Sequence, residues 1–194
     1  MEKEIEPLKQ KLKVSNKLAN SFLISTQIID LSKKFRQQQL QKKIHDVQIQ
    51  ATKMLNALMR KKEYVSSIHI DINSFNITLF NNHNDEIYKE RLSSGEKEIL
   101  LLSIVWAMFK CSGRKLPFIF DTLLGRLDKT HKNTVLTKLI PMSSEQVIIL
   151  STDTEIDAHH YELIQPRISR EYTLEFIIDI ESVKVHDQYF TFGK

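Results

Sequence analysis

Along residues 1–64, apolar or small side chains fall at Ile5, Leu8, Leu12, Ser15, Ala19, Phe22, Thr26 and Ile29, in alternating steps of three and four. Lys33 and Arg36 continue this seam with charge. After Leu40 it resumes at Ile44, Val47, Ala51, Met54 and Leu58, with one extra step of four that resembles a stutter. The stretch has no glycine and only Pro7, so the pattern predicts one long helix, or two broken by a small insertion, of coiled-coil type. A single helix cannot bury such a seam, so it needs a partner helix or must fold back on the rest of the chain.

Near residue 63 the period changes to two. Residues 67–72 and 75–80 alternate as half-buried strands, 81–85 is a turn cluster, and 86–91 reads as an edge strand. Residues 99–111 predict a core helix, with Leu100, Leu101, Ile104, Val105, Met108 and Phe109 around much of its circumference and Gly113 just past its end. A buried strand at 116–121, a helix at 129–139 and a continuous apolar strand at 146–150 predict an α/β layer with a parallel sheet. Residues 163–169 are an edge-strand candidate interrupted by Pro166, 172–180 a further strand, and 183–194 a polar tail with one more short strand. The expected architecture is an α/β lobe over 65–194 preceded by a coiled-coil arm over 1–64.

Charge sharpens this division. Residues 1–62 carry fourteen Lys/Arg against five Asp/Glu, a net of +9, while the whole chain of 194 residues is only +4. A basic arm on a mildly acidic body suits either a polyanionic partner or a solvated helix surface. Cys111 is the only cysteine, which excludes a disulfide framework and a Cys-based zinc cluster and leaves a core or helix-end thiol. The opening MEKEIEPLKQ lacks the apolar core of a signal peptide, and no apolar run is long enough to span a bilayer. The expectation is a soluble cytoplasmic chain with no membrane partner.

The candidate chemistry lies between Arg91 and Asp128. Leu92-Ser93-Ser94-Gly95-Glu96-Lys97 opens the apolar helix, and a helix start offers free N–H groups and partial positive charge to a phosphate. The same residues also make an ordinary helix cap. Asp121 ends an apolar strand, a common way to present a carboxylate to Mg²⁺ beside a nucleotide. Gly125-Arg126-Leu127-Asp128 follows as a polar turn. His159-His160-Tyr161 has no suitably spaced third ligand for a metal, and Met54, Met59 and Met108 fit packing positions.

Residues 92–97 resemble the signature loop of ABC-type ATPases in its SMC-like form, Asp121 resembles a Walker B acid, and residues 125–128 resemble a D-loop. The resemblance implies the C-terminal lobe of an ABC/SMC-like P-loop ATPase head. It implies that Ser93, Ser94, Gly95, Glu96, Lys97 and Asp128 contact ATP, with Ser93 on the γ-phosphate, and that Asp121 holds Mg²⁺. Two positions depart from the general pattern: Thr122 stands where a catalytic Glu is expected, and Asp153 follows the next strand where a switch His is expected. These departures, with 121–128 and 149–157 read as wholes, Trp106 and the late 168–172 segment, resemble the DndD family, the SMC-like ATPases of bacterial DNA phosphorothioate modification. Leu123 departs from the Pro expected there, and the resemblance covers about residues 90–175. Glu155, Asp153 and Thr122 all remain candidates for polarising the attacking water.

A P-loop needs two glycines five apart followed by Lys; glycine occurs here only at 95, 113, 125 and 193. The chain therefore resembles the returning half of an SMC-like protein, whether an excised piece, a truncated gene or a split subunit. Alone it is expected to be inactive. The implied partners are the N-terminal Walker A half, a second head in a head-to-head dimer, DNA, and other DNA sulfur-modification subunits. The alternatives are another DNA-repair ATPase of SMC, RecF or RecN type, against which Thr122 and Asp153 argue, and a non-catalytic coiled-coil scaffold with a degenerate lobe.

Overall fold

The computed structural model describes residues 2–61 and 63–189, without the side chains of residues 2–16, 18 and 19. It divides into two compact units, residues 1–45 and 46–194. The first helix, α1, spans Glu2–Leu58 as one element. The early seam positions Ile5, Leu8, Leu12, Ser15 and Ala19 fall outside the described side chains. In the first unit Phe22 and Ile29 are exposed, with Leu23, Ile24, Ile28, Leu31 and Phe35 beside them. Ser25 and Thr26 return their hydroxyls to the carbonyls of Ser21 and Phe22, at 2.8 and 3.0 Å, so their polarity is satisfied within the helix.

In the second unit the seam has a different use. Ala51, Met54, Leu55 and Leu58 are buried in the body's own core, not held for a partner helix. Their neighbours explain this docking. Strand β1 (Ser67–Ile70) is the edge of an antiparallel sheet ordered β1-β2-β3, with β2 at Ile77–Phe80 and β3 at Glu86–Ile87. The Ile68 N–H donates to Thr52 Oγ1 at 3.0 Å and the Ile70 N–H to Gln48 Oε1 at 2.8 Å. The helix thus covers a sheet edge whose donors would otherwise be open. The expected strand at 86–91 stops at Ile87, because the Arg91 N–H bonds to the Tyr88 carbonyl and winds Lys89–Arg91 into a 3₁₀ turn.

Helix α2 (Ser94–Ser112) ends on Gly113, whose φ of 69° is the left-handed conformation a C-cap glycine adopts freely. Ile99, Leu102, Ile104, Trp106 and Ala107 face the core, and Trp106 Nε1 donates to the Met142 carbonyl at 2.9 Å. Leu101 and Met108 lie on its exposed side, so Met108 is not the packing residue expected, unlike buried Met54 and Met59. Strand β4 (Phe118–Asp121) pairs in parallel with β5 (Val147–Leu150), as the continuous apolar runs require. Between them run α3 (Lys129–Thr134), a π-helical segment (Val135–Leu139) and α4 (Ile140–Ser143). The widened turn precedes Pro141, which has no N–H and needs room behind it.

The edge strand expected at 163–169 is absent. Asp157 instead caps α5 (Ala158–Ile164), accepting the His160 N–H at 2.9 Å, and Pro166 sits in the 3₁₀ turn Gln165–Arg167, where its missing donor costs little. Strands β6 (Thr173–Ile177) and β7 (Ser182–His186) form a hairpin whose cross-strand pairs Leu174–Val185 and Phe176–Val183 stay exposed. Residues 190–194 of the expected tail lie outside the described residues. Among the described residues no helix is long and apolar enough to cross a membrane.

The core assignment has a direct check in urea unfolding. Leu58, 1% exposed, should lose about 2–5 kcal/mol on change to Ala, whereas Met108, 57% exposed, should lose less than about 0.5 kcal/mol.

Candidate functional site

The start of α2 is built by reciprocal capping. The Glu96 N–H donates to Ser93 Oγ at 3.2 Å, and the Ser93 N–H donates to Glu96 Oε2 at 2.8 Å. Lys61, just past the end of α1, places Nζ 3.1 Å from Glu96 Oε1. Burial raises the Glu96 carboxyl, but the hydrogen bonds from the Ser93 backbone and from Lys61 outweigh it and hold the group below its ordinary value. Ser93, Ser94 and Lys97 are exposed at this helix start.

Asp128 reaches the same place from α3. Its Oδ1 accepts the His131 N–H at 2.9 Å, capping the helix, and this bond is the main cause that holds its carboxyl below the usual range. His131 is buried, 5% exposed, with Nδ1 2.9 Å from Asp128 Oδ2 but outside the alignment a hydrogen bond needs. A Cβ on Gly95 would lie 3.3 Å from that nitrogen, so the imidazole lies against the first turn of α2. Ser93, Glu96, Asp128 and His131 line one open cleft of about 740 Å³, together with Arg60, Lys61, Arg91 and Leu92. Its cations and free helix amides suit an anion.

The remaining candidates gather elsewhere in the lobe, at the carboxyl ends of β4 and β5. Asp121 ends β4 and is exposed. Thr122 follows with φ 50°, a left-handed conformation that strains a β-branched residue, while its N–H donates to the Leu150 carbonyl at 3.2 Å. Buried Leu124 and Leu127 pin the turn that follows. Glu155 is buried: Oε2 accepts the Thr152 N–H at 3.2 Å, and Oε1 lies 2.8 Å from where a Cβ on Gly125 would stand. Thr122, Gly125 and Glu155 are thus brought together, with Asp153 exposed in the turn before Glu155. Asp121 is not among the residues that line the cleft of Ser93 and Asp128.

Five residues of these two places were not singled out from the sequence. Tyr189 places its hydroxyl 3.1 Å from Ser151 Oγ and 3.2 Å from the Ile156 carbonyl, holding the loop after β5, and burial pushes its phenol up. Only a long-range fold reveals it. Arg60, Lys61 and Arg91 lie in plain charge runs with nothing local to mark them. His131 carries the one readable signal, an Asp at i−3 that both caps its helix and faces its ring.

No family model matches the sequence and no curated protein matches it. Solved structures do. An SMC ATPase structure from work on ATP-driven dimerisation and DNA-stimulated activation is matched at 16% identity and TM-score 0.56, over 76% of this chain and 86% of that one. The SMC head domain from Thermotoga maritima is matched at 13% identity and TM-score 0.52, over 79% of this chain and 52% of that one. The Smc head domain with a coiled coil and joint from Pyrococcus yayanosii is matched at 15% and TM-score 0.59, over 84% of this chain and 30% of that one. This chain therefore spans about half and about a third of the latter two. At these identities the likeness is one of fold: the body has the mixed α/β fold of an SMC ATPase head.

Glu96 has a pH signature. A carboxyl held below its ordinary value of 4.5 stabilises the fold fully above that pH and loses its contribution as pH falls through the lower folded value. Glu96→Gln should lose about 0.5–1 kcal/mol at pH 7, a modest figure because Lys61 is largely exposed. The gap from wild type should close below pH 4.5 in urea titrations. An equal gap at pH 7 and pH 3 would contradict the charge assignment.

Proposed function

We propose that this chain is the signature-bearing, C-terminal lobe of an SMC-like ATPase that acts on DNA, with residues 65–194 as the head lobe and residues 1–64 as the coiled-coil arm whose end, residues 46–58, belongs to the lobe's own core. The observation that carries this reading is the cleft in which the capped start of α2, with Ser93, meets Asp128 at the start of α3. The segments that resemble a signature loop and a D-loop are 28 residues apart at their nearest, Lys97 to Gly125, yet Leu92, Ser93 and Glu96 of the first line one anion-suited cleft with Asp128 of the second.

The site divides into two halves. At the start of α2 the Ser93 oxygen already accepts the Glu96 N–H, so its hydroxyl proton is free to donate, beside amides that a phosphoryl oxygen can accept from. At the β4 end, Asp121 is an exposed carboxylate after an apolar strand, which suits Mg²⁺, an ion that binds through one or two carboxylates and keeps water and phosphate as its other ligands. Bound Mg·ATP supplies the phosphoryl chemistry and its charge neutralisation. A P-loop from a further segment completes each pocket. Ile119, Ile148 and Leu150 support such an addition, since they leave one face of a two-stranded parallel sheet uncovered and parallel sheets are normally covered on both. Glu155 holds the loop through Thr152, which leaves exposed Asp153 and the strained Thr122 as the groups nearest to hand for orienting water. The finer assignment to DNA phosphorothioation, with its other modification subunits, rests on the DndD-like residues 121–128 and 149–157.

The test supplies a P-loop-bearing half in trans and follows ATP-driven dimerisation by light scattering, with phosphate release alongside. The chain alone should release none above a buffer blank. Loss of one charge-assisted hydrogen bond costs about 1.5–3 kcal/mol, so Ser93→Ala should weaken closure about ten- to a hundredfold, and Ser93→Arg should abolish it. A Ser93→Arg protein that dimerises and hydrolyses like the parent would leave the scaffold reading standing.

DNA binding by the arm should be independent of sequence and should weaken steeply with salt through counterion release. Lys33, Lys34 and Arg36 are exposed, and neutralising all three should flatten the salt slope by roughly three units at most. An unchanged slope would assign the basic arm to a solvated surface.

A further inference from the structure

We propose that Tyr189 is a positioning residue, one whose hydroxyl clamps the turn after β5 and so sets where Asp153 stands at the carboxyl ends of β4 and β5. This role deepens the ATPase reading and rests on it for the reaction served. The turn is closed from within. The Thr152 carbonyl accepts the N–H groups of Glu155 and Ile156, both at 3.2 Å, and Glu155 Oε2 accepts the Thr152 N–H at 3.2 Å. Those bonds shape residues 152–156 without fixing them to the rest of the lobe. Lys132 of α3 does part of that, donating to the Glu155 carbonyl at 3.2 Å. Tyr189 does more. Its hydroxyl lies 3.1 Å from Ser151 Oγ, 3.4 Å from the Thr152 carbonyl and 3.2 Å from the Ile156 carbonyl, so one group meets both ends of the turn. The phenolic proton can serve either carbonyl while the oxygen accepts from the Ser151 hydroxyl.

The place of this clamp ties it to the candidate chemistry. Ser151 directly follows Leu150, whose carbonyl accepts the N–H of left-handed Thr122 at 3.2 Å, and Asp153 is exposed within the clamped turn. Burial pushes the Tyr189 phenol up against the Ser151 bond that lowers it, and the Asp153 and Glu155 carboxylates push it further. Both acids therefore lie within electrostatic reach of the hydroxyl. The hairpin that leads to Tyr189 contributes little to the core, since Leu174, Phe176, Val183 and Val185 are exposed. It is braced all the same. His186 Nε2 lies 2.8 Å from Glu175 Oε2, and Thr173 Oγ1 donates to the Gln188 carbonyl at 2.7 Å, one residue before Tyr189. The Tyr189 ring stacks on Tyr161 of α5, with centroids 5.1 Å apart and planes 4° from parallel. Tyr161 in turn donates its hydroxyl to Glu171 Oε2 at 2.8 Å. The brace and the stack aim one hydroxyl at the turn that carries Asp153. A residue acting in this way serves the chemical step and not the entry of nucleotide.

The experiment compares the full chain with Tyr189→Phe, which keeps the stacked ring and removes only the hydroxyl. Hydrogen exchange on the chain alone should show the Glu155 and Ile156 amides exchanging about three- to tenfold faster, with the amides of α2 unchanged. Beside a P-loop-bearing half, kcat should fall about three- to tenfold, while KM for ATP and ATP-driven dimerisation stay within about twofold. Ser151→Ala should act through the same turn, so the double variant should lose less than the product of the two single losses. Tyr161→Phe, which keeps the stack and loses the bond to Glu171, should turn over within about twofold of the parent. Unchanged exchange in Tyr189→Phe overturns the proposal, as does faster exchange with an unaltered kcat. An equal loss in Tyr161→Phe overturns it too, because the effect would then belong to the stability of the hairpin. The two readings fail separately. No turnover by the parent beside a P-loop half would sink the ATPase reading, and faster exchange in Tyr189→Phe would still uphold the clamp. Parent turnover that Tyr189→Phe leaves intact would sink the clamp's role and keep the ATPase.

Discussion

The start of α2 depends on one buried carboxylate. Glu96 is 8% exposed, and an ionised carboxylate in that position is unfavourable unless its oxygens are met. They are met by the Ser93 backbone N–H on one side and Lys61 Nζ on the other, at the positive end of a nineteen-residue helix. This arrangement fixes the turn at Leu92, consumes the acceptor side of the Ser93 hydroxyl, and turns its proton away from the helix. It also ties the residues that follow α1 to the loop that opens α2. The geometry that suits Ser93 to a phosphate is thus a consequence of how the helix is capped, and the capping and binding uses of the sequence are compatible.

Much of this was legible in the residues. The period-two runs at 67–72 and 75–80, the Gly113 stop and the apolar runs around β4 and β5 each predicted an element that the structure contains, because in each the local preference and the buried face agree. The seam over residues 47–58 read as coil because its spacing is that of a coil. What sends it into the body is a tertiary fact, the open edge of β1, which Thr52 and Gln48 satisfy. The segment at 163–169 failed for a local reason that was present in the sequence: Asp157 is a helix cap, and it outweighed the apolar spacing that suggested a strand. The site divides in the same way. Ser93, Asp121 and Asp128 stand in contiguous motifs and could be read, whereas Arg60, Arg91, His131 and Tyr189 acquire their positions only through folding.

The candidate residues of the lobe lie in two places. Ser93 and Asp128 share the cleft at the start of α2, while Asp121, Thr122 and Glu155 lie at the ends of two parallel strands. One lobe with two half-sites suits an enzyme whose pockets are completed by other segments, and the uncovered Ile119, Ile148 and Leu150 fit that arrangement better than they fit a free-standing domain. The second place is also the more strained, with Thr122 left-handed, and Glu155 Oε1 leaves no room for a side chain at Gly125, so packing and not local preference holds its loop.

The central claim is that Ser93 meets the last phosphate of a nucleotide held by another segment. The most direct measurement replaces Cys111 by Ser, introduces Ser93→Cys, and offers an ATP analogue with a thiol-reactive group on the γ-phosphate. Mass spectrometry should find position 93 labelled rapidly when a P-loop-bearing half is present, slowly without it, and not at all when excess ATP competes. Labelling that is equally fast with and without the P-loop half, or that ignores ATP, would contradict the account.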